Sequence, residues 1–315
     1  MDTEKISELA KGKFEIVETH ISWVLLGDFV YKIKKPVKFS FLDFSTLEKR
    51  KFLCEEEVRL NRRLAPDVYL GVVPVTESGI GEEGEALDYA IKMRRLPQER
   101  RMDILLSEGK VLGGHVREIA ATVAEFHGKV DTITEKKYGS AQVVREQIDD
   151  LASFRQTIED ACGLGEKVDF IVRKSDEFIE KNAEVFQKRH DEGRVKDCHG
   201  DLHSANIFIT DKITIFDCIE FSRDFRFVDT ASEIAFMAMD LDAFGREDLS
   251  RFFVDTYVKL SGDTGLPGLL GLYKCYRANV RAKIAAIDYS QNPGDGPKER
   301  IRKYMELAER YAKEL

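Results

Sequence analysis

The chain has 315 residues, 43% of them hydrophobic, which is enough apolar material for a folded core and excludes wholesale disorder. Charged residues reach 34% and the formal net charge is -8, so the global basic field of a nucleic-acid binder is absent. No apolar run approaches the ~18 residues of a membrane span, and the opening segment MDTEKISELAKGKFEIVE lacks the apolar centre of a signal peptide. The cysteines at 54, 162, 198, 218 and 275 include no C-x-x-C pair. Reduced thiols and a cytoplasmic setting are therefore expected, with no membrane partner.

In chain order, residues 13–18 (KFEIVE) and 22–26 (SWVLL) read as strands. Gly27-Asp28 is a hairpin signal before a third strand at 29–34 (FVYKIK), which Pro36 stops. Ser45-Thr46-Leu47-Glu48 is a capping box with Ser45 at the cap, so a helix should begin near Thr46 and end before Pro66. Residues 68–75 and 87–93 are two further strands around the acidic, glycine-rich stretch 77–85. An antiparallel sheet with one long helix is an α+β lobe.

Val30, Lys32 and Lys34 share one face of the third strand, because side chains alternate. A lysine on a covered sheet face is costly unless it meets an anion. The helix offers Glu55, Glu56 and Glu57. Either a lysine grips phosphate with a glutamate behind it, or an edge strand faces a charged, solvated helix.

After Leu96-Pro97 helical patterns dominate. They cover 116–130, 143–158 and 167–188, the last two separated by the Gly163–Gly165 break. The boundary is placed there, with a β-rich lobe at 1–96 and a mainly helical lobe at 97–315.

The most informative segment is VKDCHGDLHSANIFITDKITIFDCIEF at 195–221. Short β runs at 207–210 and 213–216 flank a turn at Asp211-Lys212, which puts Asn206 just before one strand and Asp217 just after the other. Asp201 lies five residues before Asn206, in HGDLH. Two carboxylates and an amide near one hairpin are hard oxygen donors suited to Mg²⁺. His199 and His203 have an i, i+4 spacing that would suit zinc on a helix, but Gly200 and the flanking strands predict a loop.

His-Gly-Asp, four residues, Asn, a hairpin and Asp resemble the core of the aminoglycoside phosphotransferase and choline kinase superfamily, a small-molecule branch of the protein-kinase-like fold. The resemblance extends to Lys32 and the glutamate-bearing helix. It is nearest to an uncharacterised branch marked by THISWVLLGDFVYKIKKPV, FLDFSTLEKRKFLCEEEVRLNRRL and HGDLHSANIFI. That branch is often fused to a P-loop ATPase domain, which makes such a domain an expected partner. No G-x-x-x-x-G-K-[ST] occurs in this chain.

The resemblance implies a two-lobed kinase fold. The lobe at 1–96 would bind the nucleotide and the lobe at 97–315 would carry catalysis and acceptor binding. It also implies ATP or GTP with Mg²⁺ and transfer of the γ-phosphate to a hydroxyl of a small molecule. Asp201 would accept or orient the hydroxyl proton. Asn206 and Asp217 would hold the metal. Lys32 would contact phosphates and Glu57 would orient it, with Lys34 and Glu56 as the alternatives. Met93 and Arg94 would lie beside the adenine and offer it backbone groups. No glycine-rich loop joins the first two strands, so the Thr19 or Ser22 hydroxyl would contact phosphate instead.

The remaining site residues have two readings each. Glu220 is a group near the metal or acceptor, or a surface residue. Lys274, Arg277 and Arg281 form one face of a helix, which either is a solvated stripe or meets an anionic acceptor. A cationic acceptor would instead use Glu220, Asp240 and Asp242. Asp229 is expected to brace the loop of Asp201, and Cys198 and Cys218 to be buried fillers. The rival readings of the whole chain are a nucleotide-binding regulatory module and a kinase acting on protein or RNA.

Overall fold

The structure is a computed structural model that describes residue 1, residues 3–39 and residues 42–315. Two compact units emerge, Met1–Ile104 with Ala205–Arg223, and Leu105–Ser204 with Asp224–Leu315.

The first unit contains α1 (Thr3–Ala10), β1 (Glu15–Glu18), β2 (Ser22–Leu26), β3 (Phe29–Lys34), α2 (Leu47–Asn61), β4 (Tyr69–Val75) and β5 (Asp88–Arg94). The five strands form one antiparallel sheet in the order β1-β2-β3-β5-β4. The tight turn at Gly27-Asp28 sets the register, pairing Leu26 with Val30, Val24 with Lys32 and Ser22 with Lys34. On one face Val30, Ile91 and Met93 pack with Cys54 and Val58 of α2. On the other, Trp23, Leu25, Ile33, Val75 and Ala90 pack with Ile6 and Ala10 of α1. The charged N-terminal segment gave no sign of α1, because two buried residues suffice for its inner face. α2 starts one residue later than the capping box indicates. Thr46 Oγ1 accepts the Lys49 N–H, while Ser45 bonds to Asp43.

The chain leaves this unit at α3 (Met102–Ser107) and continues through α4 (Gly113–Lys129), α5 (Ala141–Asp149), α6 (Arg155–Cys162), α7 (Gly165–Lys181), α8 (Ala183–Asp191) and β6 (Val195–Asp197). The hairpin β7 (Ile207–Ile209) and β8 (Ile213–Ile215) belongs to the first unit. There Arg101 bridges to Phe208, and Arg100 Nε donates to Ile209 O. Those contacts are why the compact units differ from a single cut at residue 96. After α9 (Arg223–Arg226) come β9 (Phe227–Asp229), α10 (Thr230–Ala243), α11 (Glu247–Ser261), α12 (Pro267–Gln291) and α13 (Asp295–Lys313).

Within the second unit, α10 is buried along nearly its whole length. Phe236 and Met239 of this helix pack with Ala278 and Ala282 of α12 and with Ile301 and Met305 of α13. Two expected helices are divided. The stretch 143–158 breaks into α5, a 3-10 turn at Asp150–Phe154 and α6, which lets Leu151 reach the core. The stretch 167–188 breaks at Asn182, whose side-chain amide turns back to Phe178 O.

Arg189 of α8 is fully buried and forked onto both Asp229 (2.6 and 2.7 Å) and Asp263 (2.8 Å each). Asp229 in turn caps α10 by accepting the Ala231 N–H. Asp229 is thus a structural aspartate, but it holds Arg189 and the start of α10, while the loop of Asp201 is held at Gly200 by Glu233. Removing one partner from such a group strands buried charge. Arg189→Met should lower unfolding stability by about 3–5 kcal/mol in urea titration. Arg155→Met, at an exposed pair with Asp169, should leave the midpoint unchanged.

Candidate active site

The first unit builds a chain of alternating charges on the α2 side of the sheet. Lys32 and Lys34 project from β3 toward Glu57 of α2. Lys32 Nζ donates to Glu57 Oε1 at 2.8 Å and Lys34 Nζ to Glu57 Oε2 at 2.6 Å. Lys32 Nζ also donates to Asp217 Oδ1 at 2.7 Å, and Lys34 pairs with Glu220. The chain grades from dry to wet. The Lys34 and Glu57 side chains are 0% exposed, Lys32 16% and Asp217 43%.

Burial alone would neutralise these groups. The partners prevail at the centre: Lys32 and Lys34 are raised by their carboxylates, and Glu57 is held well below the usual carboxylate range by the two lysines. Glu220 moves the other way. Burial, with the like charge of Glu57 behind it, outweighs the pull of Lys34 and raises its carboxyl.

The turn carrying Asp217 is held by backbone bonds. The Asp217 N–H donates to Tyr69 Oη (3.2 Å) and the Cys218 N–H to Asn61 Oδ1 (2.8 Å), while the Asn61 amide bonds to Glu57 O. Asp217 has φ 64°, the only non-glycine in the left-handed region among the described residues. The Phe216 N–H donates to Asn206 O at 3.1 Å, tying together the flanks of the hairpin. Asn206 and Asp217 thus stand on the two adjoining flanks of the hairpin, with the Asp217 carboxylate on Lys32. That donor set fits a hard divalent cation and phosphate.

Several expected residues have other duties. Glu220 is not a surface group and its carboxylate is committed to Lys34. Lys34 is no substitute for Lys32, because it is enclosed by Glu57 and Glu220. Glu56 faces away from the lysines and pairs with Arg59. The Ser22 hydroxyl is buried without a hydrogen-bond partner, beside Lys34 in the register, and Thr19 Oγ1 is occupied by Ser22 N and O. The first is enclosed and the second is already bonded, so neither is placed to meet phosphate. The Met93 side chain lies in the core cluster, and the Arg94 N–H already donates to Val68 O at 2.9 Å, which removes it as a donor to adenine.

In the second unit, residues 199–203 form a loop fixed from several sides. The Gly200 N–H donates to Glu233 Oε1 (2.7 Å) and Gly200 O accepts from Arg277 Nη1 (3.2 Å). The Ser204 N–H donates to Asp240 Oδ2 at 2.8 Å. Asp201 Oδ2 lies 3.4 Å from His203 Nε2, and the Asp201 N–H donates to His199 Nδ1 at 3.3 Å. Burial would raise the Asp201 carboxyl. His203, His199 and Arg281 more than offset it and hold it well below the usual range. Burial would likewise lower His203, but Asp201 raises it.

Arg277 is buried, with Ser232 O (3.2 Å) and Gly200 O as its acceptors, so it is neither a solvated stripe nor an acceptor contact. Asp240 is bound by Ser204, and Asp242 by Lys274 and Tyr311, so these two carboxylates make no pocket for a cation. Cys198 and Cys218 are buried, as expected. His127, Cys198 and Glu233 cluster closely enough to suggest a metal. Their ligand atoms are instead spent on hydrogen bonds: His127 to Tyr257 (2.7 Å) and Glu233 (2.6 Å), and Cys198 to Val228 O (3.6 Å).

Tyr69, Asn61, Glu233 and His127 were missed from sequence. Only Asn61 left a trace, one helical turn after Glu57 on the same face.

With this geometry in view, comparison with known proteins defines the class of fold. The chain has the two-lobed protein-kinase-like fold of the small-molecule kinases. A Plasmodium vivax ethanolamine kinase superposes with TM-score 0.54 at 10% identity, over 98% of this chain and 84% of that one. An aminoglycoside phosphotransferase from Alicyclobacillus acidocaldarius gives 0.53 at 13% identity, over 99% and 93%. A choline/ethanolamine kinase family protein from Mesorhizobium loti gives 0.52 at 13% identity, over 96% and 92%. No protein-family model matches the chain. In sequence it is similar to uncharacterised proteins of Mycobacterium tuberculosis and Mycobacterium bovis, 33% identical over 294 residues and 91% of this chain. It spans 58% of the length of those curated relatives. No helix among the described residues is long and apolar enough to cross a membrane.

Two outcomes follow from the electrostatics. Lys34→Met leaves Glu220 buried without its cation and should cost about 3–5 kcal/mol in denaturant titration, with part regained on adding Glu220→Gln. His203 should titrate above its ordinary 6.5 by NMR, and in Asp201→Asn it should fall, because burial and Arg281 are then opposed by Asp240 alone. A raised folded value means that the pair's contribution to stability is complete below pH 6.5 and is lost as the pH rises through the folded pKa. A urea midpoint series against pH reads this directly.

Proposed function

We propose that this chain is a phosphotransferase that moves the γ-phosphoryl group of ATP to a hydroxyl of a small molecule. The observation that carries the reading is Lys32 bonded at once to Glu57 (2.8 Å) and Asp217 (2.7 Å), within a fold shared with solved small-molecule kinases. A lysine between two carboxylates can exchange one of them for phosphate and keep the other as its guide.

In this reading the first unit binds the nucleotide. Lys32 grips phosphate oxygens, Glu57 keeps the amine aimed, and Asn206 with Asp217 would hold Mg²⁺. The cation, when bound, would neutralise phosphate charge. Asp201 orients the acceptor hydroxyl and takes its proton as the oxygen bonds to phosphorus. The bond from phosphorus to the ADP oxygen breaks, and ADP leaves with the electron pair. A carboxylate held so far toward its ionised form is a weak base in the resting protein. Its main duty is to aim the hydroxyl, and proton uptake comes late, as phosphoryl transfer through a loose transition state allows.

The test is ADP release by the purified chain across a panel of sugars, amino alcohols and hydroxy acids. Asp201→Ala should lower kcat by ~10²–10⁴ and leave nucleotide affinity nearly intact. Asp217→Ala should abolish the Mg²⁺-dependent thermal shift produced by ATP. Unaltered turnover in the first variant, or an unaltered shift in the second, contradicts the assigned roles.

A further inference from the structure

The basic side chains of α12 are answered by fixed partners, with one exception. Lys274 donates to Asp242 (2.9 Å) and to Ser250 Oγ (3.1 Å), Arg277 to two carbonyls, and Lys283 to Asp150. Arg281 forms no ion pair among the described residues. Its guanidinium lies over the ring of Tyr304, 5.4 Å from the centroid. Lys303 of α13 is placed in the same way, 5.7 Å from that centroid and 5.1 Å from the centroid of Phe244, and it too has no carboxylate partner. Two like charges therefore flank one aromatic ring with no ion pair to either, and Asp240 is the carboxylate that attracts both from a distance. Partial burial lowers the Lys303 amine against the pull of Asp240, and Arg281 adds a smaller push in the same direction, although the residue as a whole stays exposed.

The place of these charges in the second unit gives them meaning. Arg277 touches Gly200 O, so this face of α12 lies against the loop of Asp201, and Arg281 stands one turn further along the same face. Phe236 carries both the His203 ring (5.3 Å between centroids) and the Arg277 guanidinium (4.8 Å). The charge of Arg281 acts on Asp201 and on His203. The neighbouring carboxylate of Asp240 is already spent on Ser204. A part-buried guanidinium that no carboxylate contacts directly is costly, and its planar fork matches a carboxylate or phosphate.

We propose that Arg281 and Lys303 bind an oxyanion carried by the acceptor, so that the substrate class is a small hydroxylated carboxylate or phosphate ester. This rests on the phosphotransferase reading above and narrows it. Cationic acceptors would meet two positive charges at the same place, where Asp240 is held by Ser204 and Asp201 lies against His203.

Calorimetric titration without nucleotide tests the binding claim apart from the chemistry. The probes are glycerol, glycerate and glycerol 3-phosphate, then glucose, gluconate and glucose 6-phosphate, with kanamycin as the cationic probe. In at least one series an anionic member should bind about tenfold or more tighter than its neutral parent, a loss of one charge-assisted contact being worth at least that much. Arg281→Ala and Lys303→Ala should each remove most of the gain, and Arg281→Lys should restore part of it. Arg302→Ala, exposed on α13, should leave it unchanged. Whether the carboxylate or the phosphate member gains identifies which oxyanion is read. Equal affinity of anionic and neutral members in both series, tighter binding of kanamycin, or a gain that survives Arg281→Ala overturns the inference. Turnover separates the two readings. A neutral hydroxyl compound phosphorylated with kcat/KM indifferent to Arg281→Ala keeps the phosphotransferase and removes the anion site. Anion binding lost in Arg281→Ala, with no ADP formed from any member, keeps the site and removes the phosphotransferase.

Discussion

A lysine cannot lie on the covered face of a sheet without an anion to meet it, and β3 presents two. The answer in this chain is Glu57, a single carboxylate with one oxygen for each amine. Much of the first unit is arranged around that requirement. The Gly27-Asp28 turn sets the register that puts Lys32 and Lys34 on the α2 side. α2 brings Glu57 over them, and the same helix supplies Asn61, four residues on, to fix Cys218. Because Lys34 remains with Glu57 and Glu220, Lys32 can change its second partner without leaving Glu57 bare. The two lysines divide the labour, one holding the framework and the other facing outward.

The second unit solves a different problem, how to fix a glycine-containing loop. Both polar groups of Gly200 are taken, the N–H by Glu233 and the carbonyl by Arg277, and Asp240 takes the Ser204 N–H. Glu233 and Asp240 both lie on α10, buried nearly throughout, and Arg277 comes from α12, which packs on it. Buried hydrogen bonds that are all satisfied give one conformation in place of several. The aim of Asp201 is therefore set by helices that carry no chemistry of their own.

How far this was legible in the sequence varies with the range of the interaction. The strands at 22–26 and 29–34 and the hairpin after Asn206 follow from alternation and turn residues, all local signals, whereas the choice of Glu57 for Lys32 came through the family resemblance, the helix itself offering three adjacent glutamates. α1 was invisible because a short charged helix needs only Ile6 and Ala10 to cover the back of the sheet. Arg277 was read as solvated or ligand-facing because its acceptors are backbone carbonyls, which leave no mark in a pattern of side chains. Glu220 and Asp240 looked like free acids for the same reason, since their partners are far apart in the chain. Tyr69 was unreadable as a support for Asp217, being simply one more aromatic residue in a strand.

Asp217 sits in a backbone conformation that a side chain other than glycine or asparagine adopts at a cost, of order 1–3 kcal/mol. It persists because its own N–H and that of Cys218 are captured by Tyr69 and Asn61. Positions 61, 69 and 217 are thus one unit of inheritance. Drift at either support would loosen the aspartate before it touched the core, so descendants of this chain should keep or change the three together.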